Sequence, residues 1–192
     1  FSNNNTITGN TCNNNDYYYG IWLYSSSDNT VTGNNCNNNS DGIRLYSSSD
    51  NNTVTGNTCS NNSNRGICIP SSSNNNTVTG NTCNNNNYGI HLDSSSNNTI
   101  TGNTFNNNRD SGIYLYSSSR NTVTGNTCYN NNNNNSGIHL YSSSNNTVTG
   151  NTCIRGTGQT NDYTSKQYTI RLRGTANNYN LISSNNCMGK AV

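Results

Sequence analysis

A chain of 192 residues has the length of one domain, yet only 27% of it is hydrophobic, and its mean hydropathy is -0.94. A composition that polar normally means disorder, but disorder goes with high net charge, and here 8% of the residues are charged, Glu is absent and the formal net charge is +2. Such a balance argues against a nucleic-acid or anionic-membrane partner, and no apolar run approaches the length of a membrane span.

The chain starts at Phe1 inside a repeat, with no signal peptide ahead of it, and is expected to be a processed or partial product. The first predicted strand is Thr6-Ile7-Thr8, followed by Gly9 and Asn10. That string, Thr-(Ile/Val)-Thr-Gly-Asn, returns with its Gly at 9, 33, 56, 80, 102, 125 and 150, a spacing of 22 to 25 residues. A second strand signal, Gly-Ile-x-(Leu/Ile), begins at Gly20, Gly42, Gly66, Gly89, Gly112 and Gly137, and Ser-Ser-Ser follows each one. Within each string the apolar positions alternate with polar ones, the period of a strand, and Asn, Ser and Gly clusters between them mark turns. Helical periodicity is absent. A repeat this short cannot bury its apolar face alone, so neighbouring repeats must stack.

The expected fold is therefore all-β, a right-handed parallel β-helix of about eight coils with 22 to 25 residues each. It is read as a single domain over residues 1–192, with regular coils over 3–155 and an irregular insertion and last coils over 156–192. One core row runs Ile7, Val31, Val54, Val78, Ile100, Val123, Val148 and Ile182. Two more follow the Ile and the Leu of the second string, ending at Ile170 and Leu172. The fourth row is Cys12, Cys36, Cys59, Cys83, Phe105, Cys128, Cys153 and Cys187, and Phe105 argues that it faces inward. Asn10 and its counterparts one coil apart are expected to stack as an amide ladder.

Asn51-Asn52-Thr53-Val54-Thr55-Gly56-Asn57, followed by Gly66-Ile67-Cys68-Ile69, is similar to the parallel β-helix repeat of the NosD-like type. It resembles the repeats of the carbohydrate-binding and sugar-hydrolase β-helix group, abundant in surface proteins of methanogenic archaea. The resemblance covers about residues 3 to 187 and implies the fold. Its members include periplasmic proteins, polysaccharide-modifying enzymes and envelope proteins. The Cys row departs from the pattern, where Ile or Phe would be usual, and no catalytic residue of the family carries over.

The residues offer little obvious site chemistry. All seven carboxylates are Asp, and those before or between the strands, such as Asp41 and Asp50, read as turn residues. His91 and His139 occupy the outward x of the second string and are expected to be exposed, about 10 Å apart, too far to share a metal. No catalytic, cofactor-binding or metal-binding residue is assigned, and no cofactor is expected. Stacked Cys side chains lie slightly beyond good disulfide geometry, so packed thiols are favoured for most of the row Cys12, Cys36, Cys59, Cys83, Cys128 and Cys153, with Cys12–Cys36 or Cys59–Cys83 able to close if the coils pinch. Cys68 takes the outward x position and is expected to be exposed, with Cys187 a second candidate for an intermolecular disulfide. Trp22, Tyr24, Tyr46, Tyr114, Tyr116 and Tyr141 form an outward aromatic column suited to sugars or subunit contact. Paired Thr files cover another face, the kind of surface seen on ice-binding solenoids.

The reading preferred from sequence is a non-enzymatic structural protein, extracellular at the cell surface. It would polymerise through coil ends or lateral edges into an envelope sheath or surface layer. The alternative is a carbohydrate-binding or adhesive module using the Tyr column, with polysaccharide as partner; ice binding through the Thr-x-Thr face and a polysaccharide-active enzyme are less favoured.

Overall fold

The computed structural model describes residues 2–131, 136–155 and 168–189. The expected insertion within 156–167 lies outside them. The described chain winds as a right-handed parallel β-solenoid with three faces. The Thr-(Ile/Val)-Thr strings form an eight-stranded parallel sheet, from Thr6–Thr8 to Leu181–Ser183. The Gly-Ile strings form a seven-stranded parallel sheet, from Tyr19–Tyr24 to Tyr168–Arg173. A third face carries isolated bridges such as Thr58↔Thr82, and becomes a three-stranded sheet at Thr127–Tyr129, Thr152–Ile154 and Asn186–Met188. Register follows the repeat: Val54 pairs with Val31 and Val78, and Ile67 with Ile43 and Ile90.

The interior is four stacked files. Val54, Ile67, Ile69, Cys59 and their counterparts in the middle coils are fully buried, and Phe105 replaces a Cys without leaving the core. The files fade at both ends, where a coil has a neighbour on one side only. Ile7 and Cys12 are partly buried, whereas Leu172 and Ile182 are 44% and 36% exposed.

Asn, Ser and Gly are there because each coil must turn three corners. Gly56, after Thr55, has φ +63°, and Asn61, after the Cys row, has φ 58°, in the left-handed region that Gly and Asn tolerate best. Next to each corner an Asn points inward and satisfies the backbone the turn leaves open. Asn81 Nδ2 donates to Val54 O and Thr79 O at 2.9 and 3.1 Å, and to Oδ1 of Asn103 at 3.0 Å. Equivalent ladders run through Asn52, Asn76 and Asn98 and through Asn62, Asn86 and Asn108. The buried Asn amides are therefore paired coil to coil, which lets so polar a chain form a solid core.

Candidate functional site

The outward face of the seven-stranded sheet carries three columns of side chains. Trp22, Arg44, Cys68, His91, Tyr114, His139 and Arg171 share one register. Tyr24, Tyr46, Pro70, Asp93, Tyr116, Tyr141 and Arg173 lie two residues on. Upstream of both run Tyr19, Asp41, Arg65 and Tyr88.

Aromatic rings occupy the two ends of this face. At one end Trp22 meets Tyr24 edge-on with centroids 5.5 Å apart, and Tyr24 leans on Tyr46 at 5.7 Å. At the other, Tyr116 stacks on Tyr141 at 5.4 Å. Trp22, Tyr24 and Tyr116 are exposed, by 54%, 45% and 39%. Tyr46, Tyr114 and Tyr141 are half-buried.

Between the ends lies a set of ionisable groups. Asp41 is buried and holds two guanidiniums: Arg44 Nη1 donates to its Oδ2 at 2.9 Å, and Arg65 Nη1 lies 3.5 Å from Oδ1. Arg44 also covers the rings of Tyr19 and Tyr46 at 4.9 and 5.1 Å. Arg65 Nε donates to Nδ1 of His91 at 2.9 Å. Tyr114 is sandwiched between His91 and His139, each with its centroid 4.9 Å away. Burial, then Arg65 and Arg44, push His91 down to about 3. Burial, then Arg171 and Arg173, push His139 down to about 4. Burial raises Tyr88 to about 12, helped by Asp110, and burial also raises the Asp110 carboxyl.

Two expectations of exposure are corrected here. Cys68 is only 2% exposed, so it cannot serve as the accessible thiol of an intermolecular disulfide. Arg44 Nη1 lies 4.0 Å from its Sγ, and His91 flanks it on the next coil. Burial, followed by the charge of Asp41, raises the Cys68 thiol to about 12. His91 and His139, expected in solvent, are 9% and 5% exposed because the tyrosine rings close over them. Outward from the sheet does not mean exposed when neighbouring coils carry large side chains. Cys187 is exposed, while Cys36, Cys59, Cys83, Cys128 and Cys153 are sealed in the core and Cys12 is half-buried, all as free thiols.

Arg65 and Tyr88 escaped the sequence reading, and Asp41, read there as a turn residue, is a buried residue of the strand Asp41–Tyr46. Counting back by twos from Ile43 puts Asp41 on the core side, yet its carboxylate meets Arg44 and Arg65 outside. The alternation breaks at the Gly of each string. A Cβ on Gly66 would stand 2.5 Å from Cys83 Cβ and 2.6 Å from Gly89 O, so these glycines admit close contact between the strand and the Cys file. The repeated Gly was the available signal.

Several solved structures share this coil architecture. The periplasmic alginate epimerase AlgG matches with a TM-score of 0.70 and 21% identity, over 85% of this chain and 48% of that one. The A-module of Azotobacter vinelandii mannuronan C-5 epimerase AlgE6 matches with a TM-score of 0.75 and 14% identity, over 98% and 58%. DFA-IIIase from Arthrobacter chlorophenolicus A6, without its lid, matches with a TM-score of 0.77 and 15% identity, over 92% and 46%. At these identities the likeness is one of fold, and this chain spans about half the length of those proteins. No curated protein matches the chain.

These neighbours correct the preferred sequence reading. The non-enzymatic envelope building block, with its polymer through coil ends or lateral edges, rested on an apparent lack of site chemistry, an uncapped first coil and the expected exposure of Cys68. Carbohydrate-active enzymes have the same fold, and the outer face holds a buried network of ionisable residues. Both the sheath and the expectation of no enzyme activity are therefore set aside.

A sequence profile described as periplasmic copper-binding protein (NosD) matches residues 1–135 and 71–191. The donor set does not suit the copper of that description. Among the described residues no three His, Cys, Asp or Glu side chains group to hold a metal ion. Tyr114 separates the two imidazoles, Arg65 occupies His91 Nδ1, and the core thiols stand in single file, with Cys59 held well on the protonated side chiefly by burial and Cys128 by its hydrogen bond with Cys153 and by burial. With the profile spanning nearly every coil, the chain belongs to the NosD family.

Proposed function

We propose that this protein binds polysaccharide along the outward face of the seven-stranded sheet, outside the cytoplasm. The observation that carries the reading is the set of exposed rings at the two ends of this face, Trp22 and Tyr24 at one and Tyr116 at the other. Aromatic faces stack on sugar rings, and an extended sugar chain lying along the coils would meet such faces at both ends of the sheet. The likeness in fold to alginate and mannuronan epimerases supports it, as does the periplasmic description of the family. A glycan array followed by calorimetry tests the reading. Binding to one polysaccharide class, lost in a Trp22→Ala/Tyr116→Ala double variant, supports it. An array with no binding refutes it.

A second reading, polysaccharide modification on the same face, is favoured by Tyr88 and Asp110. Their environments push a phenol and a carboxyl away from their ordinary values side by side, as acid–base sites do. Incubation with mannuronan, with NMR of the recovered polymer, tests it. Altered residues that disappear with Tyr88→Phe support turnover, and an unchanged polymer refutes it for that substrate.

A further inference from the structure

The Tyr column of the outward face is broken at Pro70 and Asp93, and in that gap lies a network centred on His91. Arg65 Nε–H donates to His91 Nδ1 at 2.9 Å. A guanidinium has only donors and keeps its charge in proteins. Nδ1 must therefore offer a lone pair, and the neutral imidazole carries its one proton on Nε2. Arg65 is itself fixed: its backbone amide donates to Asp41 Oδ1 at 3.1 Å, and its Nη1 lies 3.5 Å from the same oxygen. The rings of Tyr88 and Tyr114 rest against the imidazole, with centroids at 5.4 and 4.9 Å. Orientation and tautomer are thus both set by neighbours.

The donor so prepared has nothing to donate to. His91 Nε2 is buried and has no hydrogen-bond partner, and His139 Nε2, beyond Tyr114, is in the same state. Among the described residues, Arg44 Nε and Ser136 Oγ are the other buried side-chain atoms without a partner, and an orphan donor needs a cause. We infer that His91 is the hydrogen-bond donor of a central glycan subsite, its Nε2–H directed to an oxygen of a sugar bound between the two aromatic ends. This rests on the binding reading above. His91 acts there as a specificity-determining donor and not as a base, since its lone pair faces Arg65. Nε2 is shielded in the free chain, so the sugar reaches it by displacing a ring of the Tyr88–Tyr114 stack.

The test uses the full chain with isotope-labelled histidine, titrated at neutral pH with an oligomannuronate and with cellohexaose. Trp22, the single tryptophan, reports binding independently by fluorescence. The free protein should show His91 as the Nε2–H tautomer, and saturation with one of the sugars should shift that resonance. His91→Phe keeps a ring in the stack without the donor and should weaken binding about tenfold. His91→Gln, which keeps an N–H, should recover part of the loss. A His91 protonated on Nδ1 overturns the inference with no sugar present. An unmoved Nε2–H resonance at saturation, or full affinity in His91→Phe, overturns the subsite and leaves the binding reading standing. No response of Trp22 to either sugar, together with an empty glycan array, removes both.

Discussion

Asn57 and Asn81 stand one coil apart, and Nδ2 of Asn57 donates to Oδ1 of Asn81 at 2.9 Å. The same oxygen accepts the Asn57 backbone N–H at 2.9 Å. Each inward Asn thus closes a turn on one side and holds the next coil on the other. Asn81→Ala should cost about 3 kcal/mol or more, because it leaves several buried backbone and amide groups without partners. Thr79→Ala, on the half-buried outer face of the same coil, should cost well under 1 kcal/mol. Thermal unfolding of the two variants checks the difference. Equal melting temperatures would show that the ladder contributes nothing.

The two glycine classes should respond differently to a methyl group. At Gly66 a Cβ would meet Cys83 Cβ and Gly89 O at 2.5 and 2.6 Å, so the coils must separate. At Gly56 it would meet nothing within 4 Å, and only the strain of φ +63° is added, about 1–2 kcal/mol. Gly66→Ala should therefore lower the melting temperature much more than Gly56→Ala. The reverse order would contradict the packing described for the Cys file.

Thiol reactivity should follow the corrected exposures. Cys187 is exposed and should react first with a thiol reagent, and half-buried Cys12 should follow slowly. Cys68 is shielded, its thiol pushed up to about 12, and should react only on unfolding, together with the core file. Counting released chromophore in native and denatured protein checks this, and Cys187→Ser should remove the fast phase. A fast phase that survives in Cys187→Ser and disappears in Cys68→Ser would refute the burial of Cys68.

Acid should destabilise the protein through its two histidines. An unfolded histidine titrates near 6.5, whereas His91 and His139 are held down to about 3 and about 4. Below about pH 6.5 the unfolded chain takes up protons that the folded chain refuses. The stabilisation is complete above that pH and is lost as pH falls toward the folded values. His91 alone should cost about 2–3 kcal/mol over the first two pH units below it. Asp110, with its carboxyl raised, works in the opposite sense, since the folded chain takes its proton first. Denaturant unfolding across this range should show a falling stability whose slope flattens in a His91→Phe/His139→Phe variant. An equally steep fall in that variant would place the acid sensitivity elsewhere.

The repeat by itself determined the solenoid. Val54, Ile67, Ile69 and Cys59 have apolar counterparts at matching places in the regular coils, and a parallel stack is the arrangement that buries all four files while giving each inward Asn a partner one coil away. Strand period, turn chemistry and core rows were legible because each is a local rule repeated along the chain. The site was legible only in part. Trp22, Tyr24 and Tyr116 could be placed on one outward face by counting alternate residues. That count failed at Gly42 and its counterparts, and so missed Asp41, Arg65 and Tyr88. It also could not tell that Cys68, His91 and His139, though outward, are covered. Exposure on a sheet face depends on the size of side chains one coil above and below, residues about two dozen positions away in the chain. The tautomer of His91 was beyond any local reading, because it is set by a guanidinium that the solenoid brings alongside from the preceding coil.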